Sequence, residues 1–215
     1  MSLAFSSKDL TVYLRALGDE LALAGAQARV LVVGGAALIL RGNTARVTTG
    51  DVDVLAEVRN GLLILPRPFS PALQAAIGRV AESFPNELDS EWMNAAVARD
   101  WERRWPGGLP PGLDAAEWRV YGALSVGLAG RETLVPMKLH AVLDRGTVPT
   151  FDADGRVTGA NVELTGYDRR HLDDLVALAP DDDELDAAAV WVCGQDTGDI
   201  RLLVQAVLAR VRAER

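Results

Sequence analysis

A single cysteine, Cys193, and two histidines, His140 and His171, stand in a chain of 215 residues. One thiol excludes an internal disulfide and a cysteine-built zinc centre, and two imidazoles are too few for a histidine-rich one. Basic excess is missing too. The 22 Lys and Arg against 30 Asp and Glu give a formal charge of −8. That balance argues against a broad cationic surface for unspecific nucleic-acid binding, although it leaves room for a local basic groove. The first twenty residues carry Lys8, Asp9, Arg15, Asp19 and Glu20 and lack the apolar segment of a secretory leader. The longest apolar stretch, 21–40, is broken by Gln27, Arg29 and the pair Gly34-Gly35. It reads as a helix end, a strand and a second helix, not as a membrane span. These absences predict a globular, cytoplasmic protein without membrane contact. With 49% apolar residues the chain is long enough for one large domain or two small ones.

Hydrophobic spacing predicts a helix from Ser7 to about Gly25, a buried strand over 29–33, a short helix over 36–41 and a second strand over 51–58. Arg59-Asn60-Gly61 marks a turn, and Pro66, Pro68 and Pro71 bracket a loop. Helices follow at 71–84 and 90–104, the second from the spacing of Trp92, Met93, Val97 and Trp101. The segment 106–113 holds three glycines and three prolines and is the best internal boundary. Beyond it the pattern predicts one or two strands over 117–128 and a helix over 133–145 with Pro136 in its first turn. A loop or small hairpin over 146–166 and a helix over 167–178 come next, and two helices follow the acidic run 181–184. The expected fold class is α/β (α+β). An α/β core over 1–130, with a helical insertion at about 70–105, precedes a mostly helical part over 131–215.

Chemistry concentrates in residues 30–57. The strand 30–33 runs into Gly34-Gly35, which open a helix, and the next strand begins Asp51-Val52-Asp53. Backbone N–H groups at a glycine-opened helix start suit a phosphate. Residues two apart on a strand share a face, so Asp51 and Asp53 project side by side, roughly 6 to 7 Å apart. Adjacent carboxylates repel each other unless a cation neutralises them. Magnesium, which takes one or two carboxylates together with substrate phosphates, is the cation this pair suits. Neither a Walker motif nor a dinucleotide fingerprint is present.

The order of strand, Gly-Gly, short helix and Thr49-Gly50-Asp51-Val52-Asp53 resembles the nucleotidyltransferase fold of the polymerase-beta superfamily. Arg46 to Asp53 looks like the Arg…Thr-x-Asp-x-Asp form of the bacterial branch related to abortive-infection toxins. Trp92-Met93-Asn94-Ala95 is similar to a Trp-Leu-Asn segment of that branch. Leu134 to Ala141, then Arg145, then Arg170 to Leu175, resembles its Leu-Leu-x-x-Lys-Leu-x-Ala…Arg…Lys-Asp-x-x-Asp-Leu run. The resemblance spans roughly residues 28 to 178. It implies a nucleotidyltransferase core with a small mixed sheet. Asp51 and Asp53 would hold Mg²⁺ or Mn²⁺; Gly34 and Gly35 would contact the triphosphate of an NTP, with Thr49 and Arg46 from the same motif nearby. Lys138 would pair with a phosphate from a helix facing the cleft, and Asp173, or Asp174 beside it, would sit near that lysine. It also implies transfer of NMP to a protein or RNA acceptor, and an association with toxin–antitoxin systems in which the partner is an antitoxin or a second copy of the chain.

One departure stands out. Active members of this superfamily place a third carboxylate on a later strand, and 119–128 contains none. Glu57, at even spacing from Asp51 and Asp53, is expected to share their face, and Glu117 and Glu132 flank the later strand. A catalytically degenerate binding or antitoxin-like module is therefore the alternative reading. A further acidic turn, Asp152-x-Asp154-Gly155, looks like the start of an EF-hand. Arg156 and Val157 occupy positions that need an oxygen ligand and a glycine, so a hairpin tip is expected instead.

Overall fold

In the computed structural model the chain is mixed α/β. The structure describes residues 4–44, 47–99, 105–154, 156–164, 169–195 and 200–215. The chain divides into two compact units, Met1–Trp101 with Asp114–Gly130, and Glu102–Leu113 with Arg131–Arg215. Among the described residues no helix is long and apolar enough to cross a membrane.

The first unit opens with α1 (Ser7–Leu23). Its cap is Ser6. The Ser6 hydroxyl oxygen accepts from the Asp9 N–H, while the Asp9 carboxylate accepts from the Ser6 N–H at 2.9 Å. β1 (Ala28–Val33) leads directly into α2 (Gly34–Arg41), and β2 (Val52–Arg59) returns antiparallel to β1. Asn60 and Gly61 both adopt positive φ, 53° and 79°, and Arg59 pairs with Leu62. That is the two-residue hairpin turn Asn-Gly favours, and it leads into β3 (Leu62–Ile64). After α3 (Pro71–Ser83) come the two-residue strand β4 (Met93–Asn94), the single turn α4 (Ala96–Arg99), and the hairpin β5 (Glu117–Tyr121) and β6 (Leu124–Leu128). The sheet order is β3-β2-β1-β6-β5, with β4 parallel to the leading end of β2 and β6 parallel to β1. Val30, Val32, Val54, Leu55, Leu124 and Val126 are buried in it.

The helix expected over 90–104 does not begin at Ser90. Val52 N–H donates to the Trp92 carbonyl at 2.7 Å, and Met93 and Asn94 pair with Val52 and Asp53. Trp92 is buried, its indole N–H donating to the Ile77 carbonyl. Sheet pairing and one deep aromatic anchor override a helix-like spacing. Helix begins only at Ala96, whose N–H donates to Asn94 Oδ1 at 2.9 Å. Trp101, Arg103 and Arg104, at the end of the expected helix, lie outside the described residues.

Tyr13 joins α1 to the segment after α3. Its ring packs edge-on against Phe5, Phe84 and Trp92, and its hydroxyl donates to Glu87 at 2.6 Å. Burial first, and the hydrogen bond to Glu87 second, push the phenol well above its usual value of 10.0. The folded state thus holds this proton more tightly than the unfolded one. The corresponding stability is fully present below the unfolded value near pH 10 and is lost as pH rises above it. Tyr13→Phe should therefore cost roughly 1 to 2 kcal/mol at neutral pH. It should also flatten the alkaline limb of a plot of stability against pH, measured by urea unfolding between pH 8 and 11. An unchanged alkaline limb would refute the assignment.

The second unit is built on α5 (Arg131–Gly146), with the hairpin β7 (Thr147–Phe151) and β8 (Val157–Val162) and the helices α6 (Arg169–Ala177), α7 (Asp182–Cys193) and α8 (Arg201–Glu214). α5 starts two residues before the expected position, so Pro136 lies inside the helix and not in its first turn. Arg131 makes a bidentate pair with Glu184, at 2.9 and 2.7 Å, and also donates to the Leu178 carbonyl. The hydrogen bonds from Arg131 are the main reason the Glu184 carboxyl sits below its ordinary pKa. His140 packs its ring against Trp105 and Trp191. Between β7 and β8, Asp152 Oδ1 accepts from the N–H groups of Asp154 and Arg156, as expected of a hairpin tip.

Candidate functional site

α2 begins without a side-chain cap, because its N-cap residue is Val33. Gly34 adopts φ +70°, a conformation that costs glycine nothing and other residues strain. A Cβ at this position would also overlap Oδ2 of Asp53, so the carboxylate would have to move. The register explains the approach: Val33, the last residue of β1, lies opposite Asp53. The structure therefore places a carboxylate against the glycine that opens a helix, where the helix dipole presents positive potential.

Asp51 lies one residue before β2 and shares the face of Asp53, and both side chains are half-buried. Thr49 is buried and donates through Oγ1 to the Asp51 carbonyl at 3.3 Å, while its own N–H and C=O pair with Phe5. It holds the backbone on which Asp51 stands. Asn94 is the residue that sequence reasoning missed. It lies opposite Asp53 in the parallel β2–β4 pair and donates through Nδ2 to Asp51 Oδ2 at 3.4 Å. Because Oδ1 already caps α4, the amide must turn its N–H side toward Asp51, so Asn94 orients this carboxylate instead of supplying an oxygen ligand. The Trp-Met-Asn motif was visible in the sequence. Its pairing with β2 was not.

Glu57 does not share the face of the aspartates. Opposite residues in an antiparallel pair project to the same side, and Asp53 lies opposite Val33 whereas Glu57 lies opposite Val30. Residues 30 and 33 are an odd number apart and so face opposite ways. The cause is a bulge: Leu55 is an extra residue in β2 between the partners of Leu31 and Val32, and it reverses the alternation. Glu57 is buried on the other face, where it accepts from the Ser70 N–H at 2.8 Å and Arg59 Nε at 3.0 Å. Glu117 is half-exposed on β5 and pairs with Arg119 and Arg41. Among the described residues, no three of His, Cys, Asp and Glu come together as a metal-binding group. Asp53 stands at the helix start and Asp51 shares its face two residues earlier, and a pair of carboxylates fits a hard cation that takes its remaining ligands from water and phosphate.

Lys138 and Asp173 belong to the second unit. Lys138 is not a surface lysine: it is buried, and its ammonium meets Asp174 Oδ2 at 2.7 Å, with side-chain exposures of 6% and 2%. Of the two aspartates named as its neighbour, Asp174 makes this bond, whereas Asp173 points outward and pairs with Arg169 at 2.8 Å. Arg46 lies outside the described residues. Comparison with protein-family models, with curated proteins and with solved structures finds no match.

Proposed function

We propose that the first unit is a nucleotidyltransferase-type site that binds an NTP with Mg²⁺ or Mn²⁺ and transfers its NMP to an acceptor hydroxyl. The observation that supports this reading is the approach of Asp53 to Gly34, which sets one of the two carboxylates against a helix start without a side-chain cap. Gly34 and Gly35 would hold the outer phosphates through backbone N–H groups and the dipole of α2. Asp51 and Asp53 would hold the cation, with Thr49 and Asn94 fixing Asp51. The cation supplies charge neutralisation on the phosphates. The acceptor oxygen would bond the α-phosphorus while its proton passes to water, and the bond from the α-phosphorus to the α,β-bridging oxygen would break, that oxygen leaving with pyrophosphate. In such transfers the protein contributes position and electrostatics more than covalent chemistry.

Titration calorimetry with each NTP, with and without Mg²⁺, tests the site. Binding should require Mg²⁺ and fall by more than about ten-fold in Asp53→Ala, a change of at least roughly 1.4 kcal/mol. No binding of any NTP under either condition would sink the reading. The position of Glu57 supports a second one, a nucleotide-binding or antitoxin-like module of the same fold without turnover, because it removes the nearest candidate for a third acid. NTPs labelled at the α-phosphate separate the two: label transferred to a protein or RNA acceptor identifies an enzyme, and binding without transfer identifies the module.

A further inference from the structure

Three polar side chains stand on one face at the leading end of β2. Asp51 and Asp53 are two residues apart, and Asn94 lies opposite Asp53 on the neighbouring strand β4. Paired strands run about 4.8 Å apart, so position 94 is as close to the aspartates as they are to each other. The Asn94 amide is held from both sides. Its Oδ1 accepts from the Ala96 N–H at 2.9 Å, while Nδ2 faces two acceptors, Asp51 Oδ2 and the Glu91 carbonyl, each at 3.4 Å. One side must accept and the other must donate, which an amide does and a carboxylate does not. Glu57 is turned to the other face, and among the described residues no third acid joins the pair.

From this arrangement we infer that Asn94 fills the place of a third cation ligand and, as a neutral donor, makes cation binding depend on the nucleotide. The inference rests on the reading of the first unit as a nucleotide site. Affinity for a hard cation rises with the number of carboxylates around it. Two carboxylates beside an amide that turns its N–H side toward them hold a divalent ion weakly. The triphosphate brings the oxygens and the negative charge that a third acid would have supplied. Until then the amide keeps Asp51 in position by donating to it.

The test uses the full chain, with Mn²⁺ as the probe, alone and together with each NTP. Asn94→Asp keeps an oxygen for the Ala96 N–H and sets the other against Asp51 Oδ2 and the Glu91 carbonyl. In EDTA this variant should melt below wild type, and Mn²⁺ should raise its melting temperature more than that of wild type. By calorimetry it should bind Mn²⁺ alone at least about ten-fold more tightly than wild type does. Asp51→Asn/Asn94→Asp exchanges the two groups and should recover part of the Mn²⁺–NTP binding that Asp51→Asn loses. A purely structural role for Asn94 predicts no such rescue. If Asn94→Asp binds Mn²⁺ as wild type does and the exchange rescues nothing, position 94 lies outside the site and the inference is overturned. It is overturned as well if wild type binds Mn²⁺ alone as tightly as Mn²⁺ with an NTP. If wild type binds no NTP but Asn94→Asp gains Mn²⁺, the nucleotide reading fails while the place of Asn94 beside the cation is upheld.

Discussion

Gly34→Ala should abolish Mg²⁺-dependent nucleotide binding and destabilise the first unit by roughly 2 to 4 kcal/mol, the range of a strained backbone combined with a forced displacement. Two terms contribute, and a second glycine separates them. Gly42, the residue after α2, has φ +73° and nothing within 4 Å of a Cβ built on it, whereas Gly34 has φ +70° and the Asp53 carboxylate in the way. Gly42→Ala therefore reports the left-handed strain alone, about 1 kcal/mol. The excess in Gly34→Ala measures the collision with Asp53. Urea unfolding gives the stabilities and calorimetry gives the binding. Equal losses in the two variants would mean that Asp53 does not press on the helix start, and the proposed link between cation and phosphate would lose its support. A loss of binding in Gly42→Ala of similar size would point to α2 as a whole instead of its first residue.

How far this site was legible in the sequence depends on the range of the interactions that build it. Strand, glycine pair, helix and returning strand follow from local signals. Gly34-Gly35 interrupt an apolar run, Asn60-Gly61 encode a tight hairpin, and Asp51-Val52-Asp53 alternate on one strand. Their approach to one another is set by the register of β1 on β2, which places Val33 opposite Asp53. The errors come from tertiary choices that leave no local mark. Val-Asp-Val-Leu-Ala-Glu-Val holds three apolar residues in a row, Val54 to Ala56, but nothing in it announces that Leu55 is bulged and Glu57 reversed. Trp92, Met93 and Val97 have helical spacing, but two residues of pairing with β2 and the buried indole of Trp92 decide for strand and turn. Asn94 was passed over for the same reason, since its relation to Asp51 exists only once β4 lies beside β2. Neighbouring positions on a helix point about 100° apart, so sequence spacing alone does not say which of Asp173 and Asp174 turns inward. Packing of α6 on α5 selects Asp174.

That selection leads to the second large effect. Lys138→Met should destabilise the second unit by about 3 to 5 kcal/mol, because it leaves the Asp174 carboxylate buried beside an apolar side chain. Part of that loss should return in Lys138→Met/Asp174→Leu, where both charges of the pair are removed together and the replacements occupy similar space. A buried ion pair repays only part of its desolvation, so it adds little net stability, but losing one member is costly. Denaturant unfolding of the wild type, both single variants and the double variant gives the coupling directly. A cost below about 1 kcal/mol for Lys138→Met, the range of an exposed pair, would contradict the burial of this contact. The same set bears on function. The resemblance read from the sequence would make Lys138 a phosphate partner, while in the structure its ammonium bonds Asp174 at 2.7 Å. If that bond to Asp174 is the role of the ammonium, the double variant should bind Mg²⁺–NTP as wild type does. If the folded double variant loses that binding, the ammonium serves the nucleotide as well, and Asp174 is the residue that holds it ready.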